Sequence, residues 1–282
     1  MAGATDSFGD RSADSASVGS GRGGYQHPMT SAMSRGLLFG TAAESYERFR
    51  LGYPDEVVDR TLAYAGRPVD AAVEVGAGTG KATRAFASRG IRVTALEPDL
   101  DMFTVLERET VGMPVVPVRG DLESYDGGPT DLLYAAASWH WTDPEKRCRL
   151  AADLLTQGGT LSVFGGPMQV VDAAVQAAIA AAAGRDLDDP AFRDLDPDLR
   201  TGPSWLDAEI RDCGLFTDVQ HHRVARDVLL PQREYVGYLS TLSAYLELSM
   251  EERQQVLRRI SEVLPAQVTV DLGVGLHLAR RA

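Results

Sequence analysis

Three glycines at alternate positions separate an apolar stretch from an amphipathic one. Gly76, Gly78 and Gly80 carry no Cβ, so the backbone can turn sharply there and approach a ligand closely. A helix that begins after them offers free N–H groups and a partial positive charge. Glu97 lies 21 residues after Gly76, at the end of the next apolar stretch, where a carboxylate can accept both hydroxyls of a ribose. These residues together predict a site for a cofactor that contains adenosine.

The spacing of the glycines separates two classes of adenosine cofactor. The dinucleotide fingerprint is G-x-G-x-x-G, and its pyrophosphate lies over the helix N-terminus. Here the spacing is G-x-G-x-G, and the acidic Glu74 comes just before it. An acidic residue at that point would repel a pyrophosphate but would tolerate a cationic sulfonium. The motif therefore favours S-adenosylmethionine over NAD, with an NAD-linked oxidoreductase as the alternative.

One histidine follows the fourth apolar stretch, between two tryptophans. His140 is the candidate catalytic base, because the unperturbed pKa of a histidine, about 6.5, suits proton transfer near neutrality. Ligands of open α/β sheets bind at the carboxyl edge, where this segment is expected. Trp139 and Trp141 either form a wall of the substrate pocket or fill space, and His140 could equally pack between them as a structural residue.

Further candidates lie at either end of the chain. Tyr46, Arg50 and Tyr53 are in a segment ahead of the first strand, and Arg50 could clamp a carboxylate of the cofactor or of the substrate. The alternative for Arg50 is a surface ion pair. Tyr238 is predicted to be a substrate-pocket residue, with the core as its alternative.

From residue 69 onward, strand and helix patterns alternate, which is typical of a parallel sheet with both faces covered. The predicted strands are 71–76, 92–97, 115–118, 131–136 and 160–164. The predicted helices of this part of the chain are 41–50, 54–65, 79–88, 99–109 and a fifth one from residue 142 or 143 to the glycines at 158 and 159. We therefore expect an α/β fold with a doubly wound, mostly parallel sheet.

The alternation breaks after residue 166. Residues 167–202 contain an Ala-rich helix and an acidic stretch, which we interpret as an inserted helical cap. A helix at 204–213, a strand at 219–228 and an antiparallel last strand at 267–278 follow, and Ser249 to Glu252 form a capping box that begins a helix to about residue 264. Residues 1–35 are predicted to be a disordered leader and 36–282 one domain, with an N-terminal helical lid and cap elements at 167–202 and 231–264.

Composition limits the partners of the chain. Its 282 residues carry a formal net charge of −12, which disfavours nucleic acid and anionic membranes as binding partners. The longest apolar run, 173–183, is too short to span a membrane. Cys148 and Cys213 lack metal-ligand spacing, and the adjacent His221 and His222 of a strand would face opposite sides, so no metal site is predicted. We expect a cytoplasmic protein, and the oligomeric state stays open.

Four segments resemble successive motifs of the class I S-adenosylmethionine-dependent methyltransferases, which have a Rossmann-like fold. They are Glu74-Val-Gly-Ala-Gly-Thr-Gly80, Ala-Leu-Glu97-Pro-Asp, Gly-Asp121-Leu-Glu and Ala137-Ser-Trp-His-Trp141. The segment Tyr46-Glu-Arg-Phe-Arg-Leu-Gly-Tyr-Pro54 is similar to the opening of a small-molecule subgroup that includes trans-aconitate methyltransferases, although Leu51 replaces its usual proline. The resemblance covers residues 39–166 well and 203–282 loosely.

The resemblance implies a role for each matched residue. The loop glycines would line the methionine end of the cofactor, Glu97 would hold the ribose, and Asp121 with the Leu122 N–H would bind the adenine. Ala137 and the residues after it would close over the sulfonium. The predicted cofactor-binding set is Tyr46, Arg50, Glu74, Gly76, Ala77, Gly78, Gly80, Glu97, Pro98, Asp121, Leu122 and Ala137.

The expected activity is transfer of a methyl group from S-adenosylmethionine to a small-molecule acceptor by in-line displacement. His140 would be the catalytic residue, and Tyr53, Trp139, Trp141 and Tyr238 would bind the acceptor. The motifs do not specify whether oxygen, nitrogen, sulfur or carbon is methylated. A cofactor-binding protein of this fold with a different reaction is the alternative, and the net charge of −12 disfavours a macromolecular acceptor.

Overall fold

A computed structural model describes residues 42–184 and 205–282. The predicted leader, residue 41 of the first predicted helix and residues 185–204 lie outside the described ranges. The described α-helices are α1 (Ala43–Phe49), α2 (Asp55–Ala65), α3 (Lys81–Ala87), α4 (Leu100–Glu109), α5 (Arg147–Leu154), α6 (Ala173–Ala183), α7 (Trp205–Asp212), α8 (Gln232–Leu239), α9 (Ser243–Leu246) and α10 (Met250–Val263). The strands are β1 (Ala71–Val75), β2 (Arg92–Leu96), β3 (Val115–Val118), β4 (Thr130–Ala136), β5 (Leu155–Gly165), β6 (Gln169–Val170), β7 (Phe216–Val224), β8 (Asp227–Pro231), β9 (Gln267–Asp271) and β10 (Val274–Arg281).

The main sheet has seven strands in the order β3-β2-β1-β4-β5-β10-β7. The first five strands of that order pair in parallel, and β10 pairs antiparallel with both β5 and β7. Val75, the last residue of β1, is in register with Leu96 of β2 and with Ala135 of β4. Because parallel strands end at the same edge, the segments after β1, β2 and β4 meet there. The predicted doubly wound α/β fold is confirmed.

Two predicted strands each divide between two sheets. The strand predicted at 219–228 is the end of β7 and the start of β8, and the one predicted at 267–278 is β9 followed by most of β10. The strands β6, β9 and β8 form a separate antiparallel sheet that packs with α6, α8 and α10. The Asp271 side chain accepts the Gly273 N–H at 2.7 Å, so a tight turn separates β9 from β10. Strand periodicity continues on both sides of such a turn, which is why the sequence suggested one strand.

The α5–β5 boundary also differs from the prediction. Helix α5 begins at Arg147, because the Asp143 side chain accepts the N–H of Glu145 and closes a separate turn first. The helix ends at Leu154, and the two glycines expected to end it lie inside β5. A register shift between β4 and β5 accommodates these glycines. A glycine pair here therefore marks a bulge rather than a helix end.

Helix α1 lies across the start of α3. Glu47 contacts Lys81 Nζ at 3.2 Å and Arg84 Nη2 at 2.7 Å, and both partners are on α3. The Phe49 ring packs against Gly237 of α8, where a Cβ would lie 2.4 Å from a ring carbon. The part of the predicted N-terminal lid within the described residues thus bridges α3 and α8. In the described ranges, no helix is long and apolar enough to cross a membrane.

Candidate active site

The glycine loop joins β1 to α3, and its three glycines have positive φ values. These are 65° at Gly76, 58° at Gly78 and 88° at Gly80. A Cβ at Gly76 would lie 2.6 Å from the Ser138 Cβ, whereas a Cβ at Gly78 would meet nothing within 4 Å. Gly76 is therefore required for packing against the segment after β4. The Gly78 backbone borders open space, where a ligand can approach it.

Glu97 closes the same loop from the end of β2. Its carboxylate accepts the Gly78 N–H at 2.7 Å through Oε2 and the Asp99 N–H at 2.9 Å through Oε1. Ala77 completes the junction by donating its N–H to the Leu96 carbonyl at 2.8 Å. Burial raises the pKa of the Glu97 carboxyl to about 7, against the two backbone hydrogen bonds that lower it. Each carboxylate oxygen keeps a further lone pair, so the group can still accept two ribose hydroxyls.

The residues around this junction fit an adenosine-containing cofactor. Thr79 Oγ1 is buried in the loop and has no hydrogen-bond partner, and the space next to Gly78 is open. Pro98 is exposed beside Glu97, and the Leu100 side chain is 53% exposed at the first position of α4, although it is apolar. An exposed leucine beyond the ribose acceptor can flank a flat base. The donors, the acceptors and the open space at this junction therefore fit the predicted adenosine-containing cofactor.

Glu74 lies beneath the loop rather than inside it. Its Oε2 accepts the Thr83 hydroxyl at 2.5 Å and the Tyr134 hydroxyl at 3.0 Å, and its Oε1 is buried without a partner. Burial raises the pKa of this carboxyl to about 8. The carboxyl is therefore largely protonated near neutrality, and the repulsion of a pyrophosphate that we inferred from its charge is weakened. The structure gives Glu74 a role in supporting α3 from β1.

Asp121 and Leu122 lie after β3, next to the end of β2. The Asp121 carboxylate accepts the N–H of Ser124 at 2.9 Å and its hydroxyl at 2.5 Å, which closes a short turn. The Gly120 N–H donates to the Glu97 carbonyl at 3.2 Å, so this turn is tied to the end of β2. Leu122 is fully buried, while Asp121 is half-buried. Asp121 therefore remains near the loop with one carboxylate oxygen engaged in the turn.

The segment after β4 begins with a strained residue. Ala137 has a φ of 58°, which is uncommon for a residue with a Cβ, and its N–H donates to the Phe164 carbonyl at 2.8 Å. The Ser138 hydroxyl donates to the Val75 carbonyl at the end of β1. Strained backbone of this kind clusters at ligand sites because the surrounding structure must hold it. Ala137 is thereby fixed directly beside the glycine loop.

Residues Trp139–Trp141 form one turn of 3₁₀ helix. Trp139 is buried, whereas His140 and Trp141 are half-buried, with their ring centroids 4.4 Å apart. A narrow cleft of about 10 Å³, which is room for about one water molecule, lies beside this turn and is lined by Ala137, Ser138, Trp139, His140, Val163, Phe164, Trp205 and Leu206. His140 is therefore near the carboxyl edge of the sheet, as a group that acts on a bound acceptor must be.

A second group of predicted residues meets at the junction of α1 and α8. The Arg50 guanidinium lies over the Tyr46 ring at 5.0 Å and over the Tyr238 ring at 4.7 Å. Arg50 also donates to the Thr241 hydroxyl at 2.8 Å and to the Thr241 carbonyl at 3.1 Å. Its guanidinium is thus held between two aromatic rings and anchored to the chain after α8.

Phe164 connects the two groups of predicted residues. The Tyr53 ring meets the Phe164 ring edge-on, with centroids 5.0 Å apart, and Phe164 also lines the cleft beside His140. Burial raises the pKa of the Tyr53 hydroxyl well above its usual value, which keeps that hydroxyl protonated. Tyr53 therefore extends the aromatic surface from the α1 side towards the histidine turn.

Sequence reasoning missed several residues that hold these parts in place. Glu47 anchors α1, Ser138 joins the histidine turn to β1, and Arg147 donates to the Trp139 carbonyl at 3.0 Å. Arg147 also forms an ion pair with Glu209 of α7. Most of these partners are more than 30 positions apart in sequence, as in the pairs of Glu47 with Arg84, Ser138 with Val75 and Arg147 with Glu209. The alternation of strands and helices indicates which edge of the sheet holds the site, but it does not identify such pairs.

Comparisons with known proteins identify the family of this chain. The sequence profile of the methyltransferase domain matches residues 73–163, from β1 to β5. The chain is 30% identical over 247 residues to an uncharacterized methyltransferase of Mycobacterium tuberculosis. The matched residues cover 86% of this chain and 91% of that relative.

Solved structures agree on the fold. A structure described as a type II methyltransferase, from Anaeromyxobacter dehalogenans, is similar over 82% of this chain and 98% of that one, at 18% identity and a TM-score of 0.58. Phosphoethanolamine N-methyltransferase 2 of Haemonchus contortus, solved with S-adenosylhomocysteine, is similar over 90% of this chain and 60% of its own, at 14% identity and a TM-score of 0.51. The fold, the loop and a relative matched over nearly its whole length lead to one assignment: the chain belongs to the class I S-adenosylmethionine-dependent methyltransferases.

Proposed function

We propose that this enzyme methylates a small molecule by in-line displacement. The observation that carries the proposal is that the carboxyl edge of the sheet is covered by the chain's own helices. Helix α1 is tied to α3 through Glu47 and to the chain after α8 through Arg50 and Thr241. A covered edge encloses a compact acceptor and keeps water out, whereas a macromolecular acceptor needs an open groove.

The cofactor would lie along the junction of β1, β2 and β4. We assign the methionine end to the glycine loop, with Gly78 as the point of closest backbone approach, because nothing lies within 4 Å of its Cβ position. Glu97 would hold the ribose, Pro98 and Leu100 would flank the base, and Asp121 with the Leu122 N–H would bind its edge. Tyr46 and Arg50 would cover the cofactor from α1, and Ala137 would face its sulfonium.

Bound S-adenosylmethionine supplies a methyl group that is already activated by the positively charged sulfur. The contribution of this chain is then to position the acceptor and to exclude water, effects on the order of 7–11 kcal/mol in favourable cases. An acceptor that must lose a proton would pass it to His140. A thiolate or carboxylate acceptor would need no such help, and His140 would then only shape the pocket.

The acceptor would lie between the two aromatic groups. Tyr53 contacts Phe164, Phe164 lines the cleft next to His140, and Tyr238 stacks on Arg50. With Trp139 and Trp141 these side chains would form a mostly apolar wall with few polar anchors. The acceptor would therefore be compact and partly hydrophobic. The similarity of residues 46–54 to the trans-aconitate subgroup supports a small organic acceptor.

The setting of the reaction is also part of the proposal. Residues 36–282 would form one methyltransferase domain in the cytoplasm, with residues 1–35 as a leader and with 167–202 and 231–264 as cap elements. The net charge of −12 supports a small-molecule acceptor over a nucleic acid.

The experiment follows labelled methyl groups. The protein and S-adenosylmethionine labelled in its methyl group are added to a cell extract, which is then separated into small-molecule and macromolecular fractions. We expect label in the small-molecule fraction, together with S-adenosylhomocysteine, and mass spectrometry would identify the methylated compound.

Two controls make the result specific. Glu97→Ala should lose both the label transfer and the cofactor binding, whereas Glu56→Ala, on the exposed face of α2, should keep them. Label that enters only RNA or protein would overturn the small-molecule proposal. Tighter binding of NAD than of S-adenosylmethionine would overturn the cofactor contacts.

A further inference from the structure

Arg147 occupies an unusual position between two tryptophans. Its guanidinium carbon lies 5.7 Å from the Trp139 ring centroid and 5.1 Å from the Trp205 ring centroid. Its side chain is only 5% exposed, although arginine is rarely this buried without partners. The arginine therefore joins the turn that contains His140 to helix α7, where Trp205 is the first residue.

The hydrogen bonds of Arg147 account for its burial. Nη1 donates to the Trp139 carbonyl at 3.0 Å, Nε donates to Glu209 Oε1 at 2.7 Å, and Nη2 donates to Glu209 Oε2. This is the bidentate fork that a guanidinium makes with a carboxylate and that an ammonium cannot reproduce. One side chain thus fixes the carbonyl of the turn and the middle of α7 together.

The Trp139 carbonyl is the anchor of the turn. Besides Arg147, it accepts the Thr142 hydroxyl at 2.7 Å and the Thr142 N–H at 3.3 Å. On the other side of the turn, Ala137 is strained and Ser138 is bonded to β1. His140 directly follows Trp139 in the turn. Loss of the Arg147 hydrogen bond would therefore loosen the backbone next to His140, while Ser138 would still hold the start of the turn to β1.

The same cleft receives side chains from both elements that Arg147 joins. It is lined by Trp139 and His140 from the turn and by Trp205 and Leu206 from α7. We propose that Arg147, held by Glu209, is a positioning residue that sets the acceptor-facing wall formed by the histidine turn and α7. This inference rests on the proposed function, because it assigns that wall to the acceptor rather than to the cofactor.

The chain provides a direct probe of this wall. Its three tryptophans are Trp139, Trp141 and Trp205, and all three belong to the turn or to α7. Tryptophan emission therefore reports on this region alone, and it can be read without any acceptor. A cation held over two of the rings makes the emission sensitive to the position of Arg147.

The test compares Arg147→Lys with the same substitution at Arg280. Arg280 also lies over a ring, that of Tyr64 at 4.9 Å, and donates to backbone carbonyls, but it is on β10 away from the turn. We expect Arg147→Lys to change the tryptophan emission and to lower kcat/KM for the acceptor by about tenfold to a hundredfold, mainly through KM. Its Kd for S-adenosylmethionine should stay within about twofold of wild type, and Arg280→Lys should change none of these quantities.

A second variant guards against a folding defect. Glu209→Gln keeps one oxygen that can accept from Arg147, while it removes the charge and replaces the second acceptor by an NH2 donor. Because Arg147 keeps its bond to the Trp139 carbonyl, this variant should give a smaller change in the same direction. Combined with Arg147→Lys it should be less than additive, because both substitutions act on one ion pair. The positive charge that lysine keeps at position 147 should not restore kcat/KM, since an ammonium cannot reproduce the fork to Glu209 together with the bond to the Trp139 carbonyl.

Three outcomes would decide the matter. An unchanged kcat/KM in Arg147→Lys would overturn the proposal, and so would an equal loss of acceptor and cofactor affinity, which indicates general loosening. If wild type methylates only a macromolecule, the proposed function fails. The Arg147 inference is then judged separately by its tryptophan emission and by kcat/KM on that macromolecule.

Discussion

The carboxylate of Glu97 and the backbone N–H of Gly78 are joined by a hydrogen bond of 2.7 Å across the ends of two strands. This bond makes the predicted ribose acceptor a part of the glycine loop itself. It also places the carboxyl where burial raises its pKa to about 7. If Glu97 holds the ribose as proposed, binding of the cofactor and ionisation of Glu97 would be coupled, because only the ionised group can accept both hydroxyls and both N–H groups.

The first prediction is that affinity for S-adenosylmethionine depends on pH. The free protein binds a proton at Glu97 below about pH 7, and that proton must leave before the ribose can bind. The Kd should be constant above about pH 7 and should rise by up to about tenfold per unit below it. Calorimetry in buffers of different ionisation enthalpy would measure both the Kd and the released proton. Glu97→Gln should bind weakly at every pH, and an equally steep pH dependence in that variant would contradict the assignment.

The second prediction separates backbone strain from ligand contact. Gly78 and Gly90 have φ values of 58° and 84°, and a Cβ at either position would meet nothing within 4 Å. Alanine should therefore cost about 1–2 kcal/mol of stability at each site, through left-handed strain alone. Only Gly78→Ala should also weaken cofactor binding, by about tenfold or more, because its methyl group would enter the space assigned to the ligand. Thermal unfolding and calorimetry on both variants provide the comparison, and equal cofactor affinities would exclude Gly78 from the site.

The third prediction concerns the buried Glu74. Its pKa in the folded protein is raised from 4.5 to about 8, so between those values the folded state keeps a proton that the unfolded state has lost. The stability contribution of this group is fully present below about pH 4.5 and is lost as the pH rises to about 8, at up to about 1.4 kcal/mol per unit. In Glu74→Gln this dependence is absent. Urea unfolding across this range should show the stability of wild type falling relative to that of the Glu74→Gln variant as the pH rises, whereas the curves of wild type and Glu56→Gln should stay parallel.

The sequence predicted the parts of this site that depend on local pattern. The glycine loop between a strand and a helix, the place of Glu97 at the end of the next strand and the positions of the first five strands follow from local residue types and from the alternation of strands and helices. The order of these strands in the sheet, by contrast, comes from the structure. The Arg147–Glu209 and Arg50–Thr241 pairs could not be found in this way, since each joins residues that are 62 and 191 positions apart. The pKa of Glu74 was also beyond reach, because an acidic residue in a strand gives no sign of how deeply its carboxyl is buried.

The last prediction tests whether α1 acts as a lid. Glu47 is only 18% exposed and bonds to Lys81 and Arg84, whereas Glu44, on the same helix, is 72% exposed and bonds to Arg108 at the surface. Partly buried ion pairs that bridge two elements contribute more than exposed ones. Glu47→Ala should therefore release α1, and trypsin should cleave after Arg48 and Arg50 several-fold faster, while Glu44→Ala should resemble wild type.

Two further measurements complete the test of the lid. Gly237→Ala would bring a methyl group 2.4 Å from the Phe49 ring and displace α1, while alanine favours helix α8 itself by about 1 kcal/mol. Faster cleavage in this variant would thus come from α1 and not from melting of α8. In wild type, the cofactor and the acceptor together should slow cleavage at Arg48 and Arg50, because α1 would close over both ligands and be held in place by them. Equal cleavage rates with and without saturating ligands would show that α1 is a fixed support, and Tyr46 and Arg50 would then lose their assigned contacts with the cofactor.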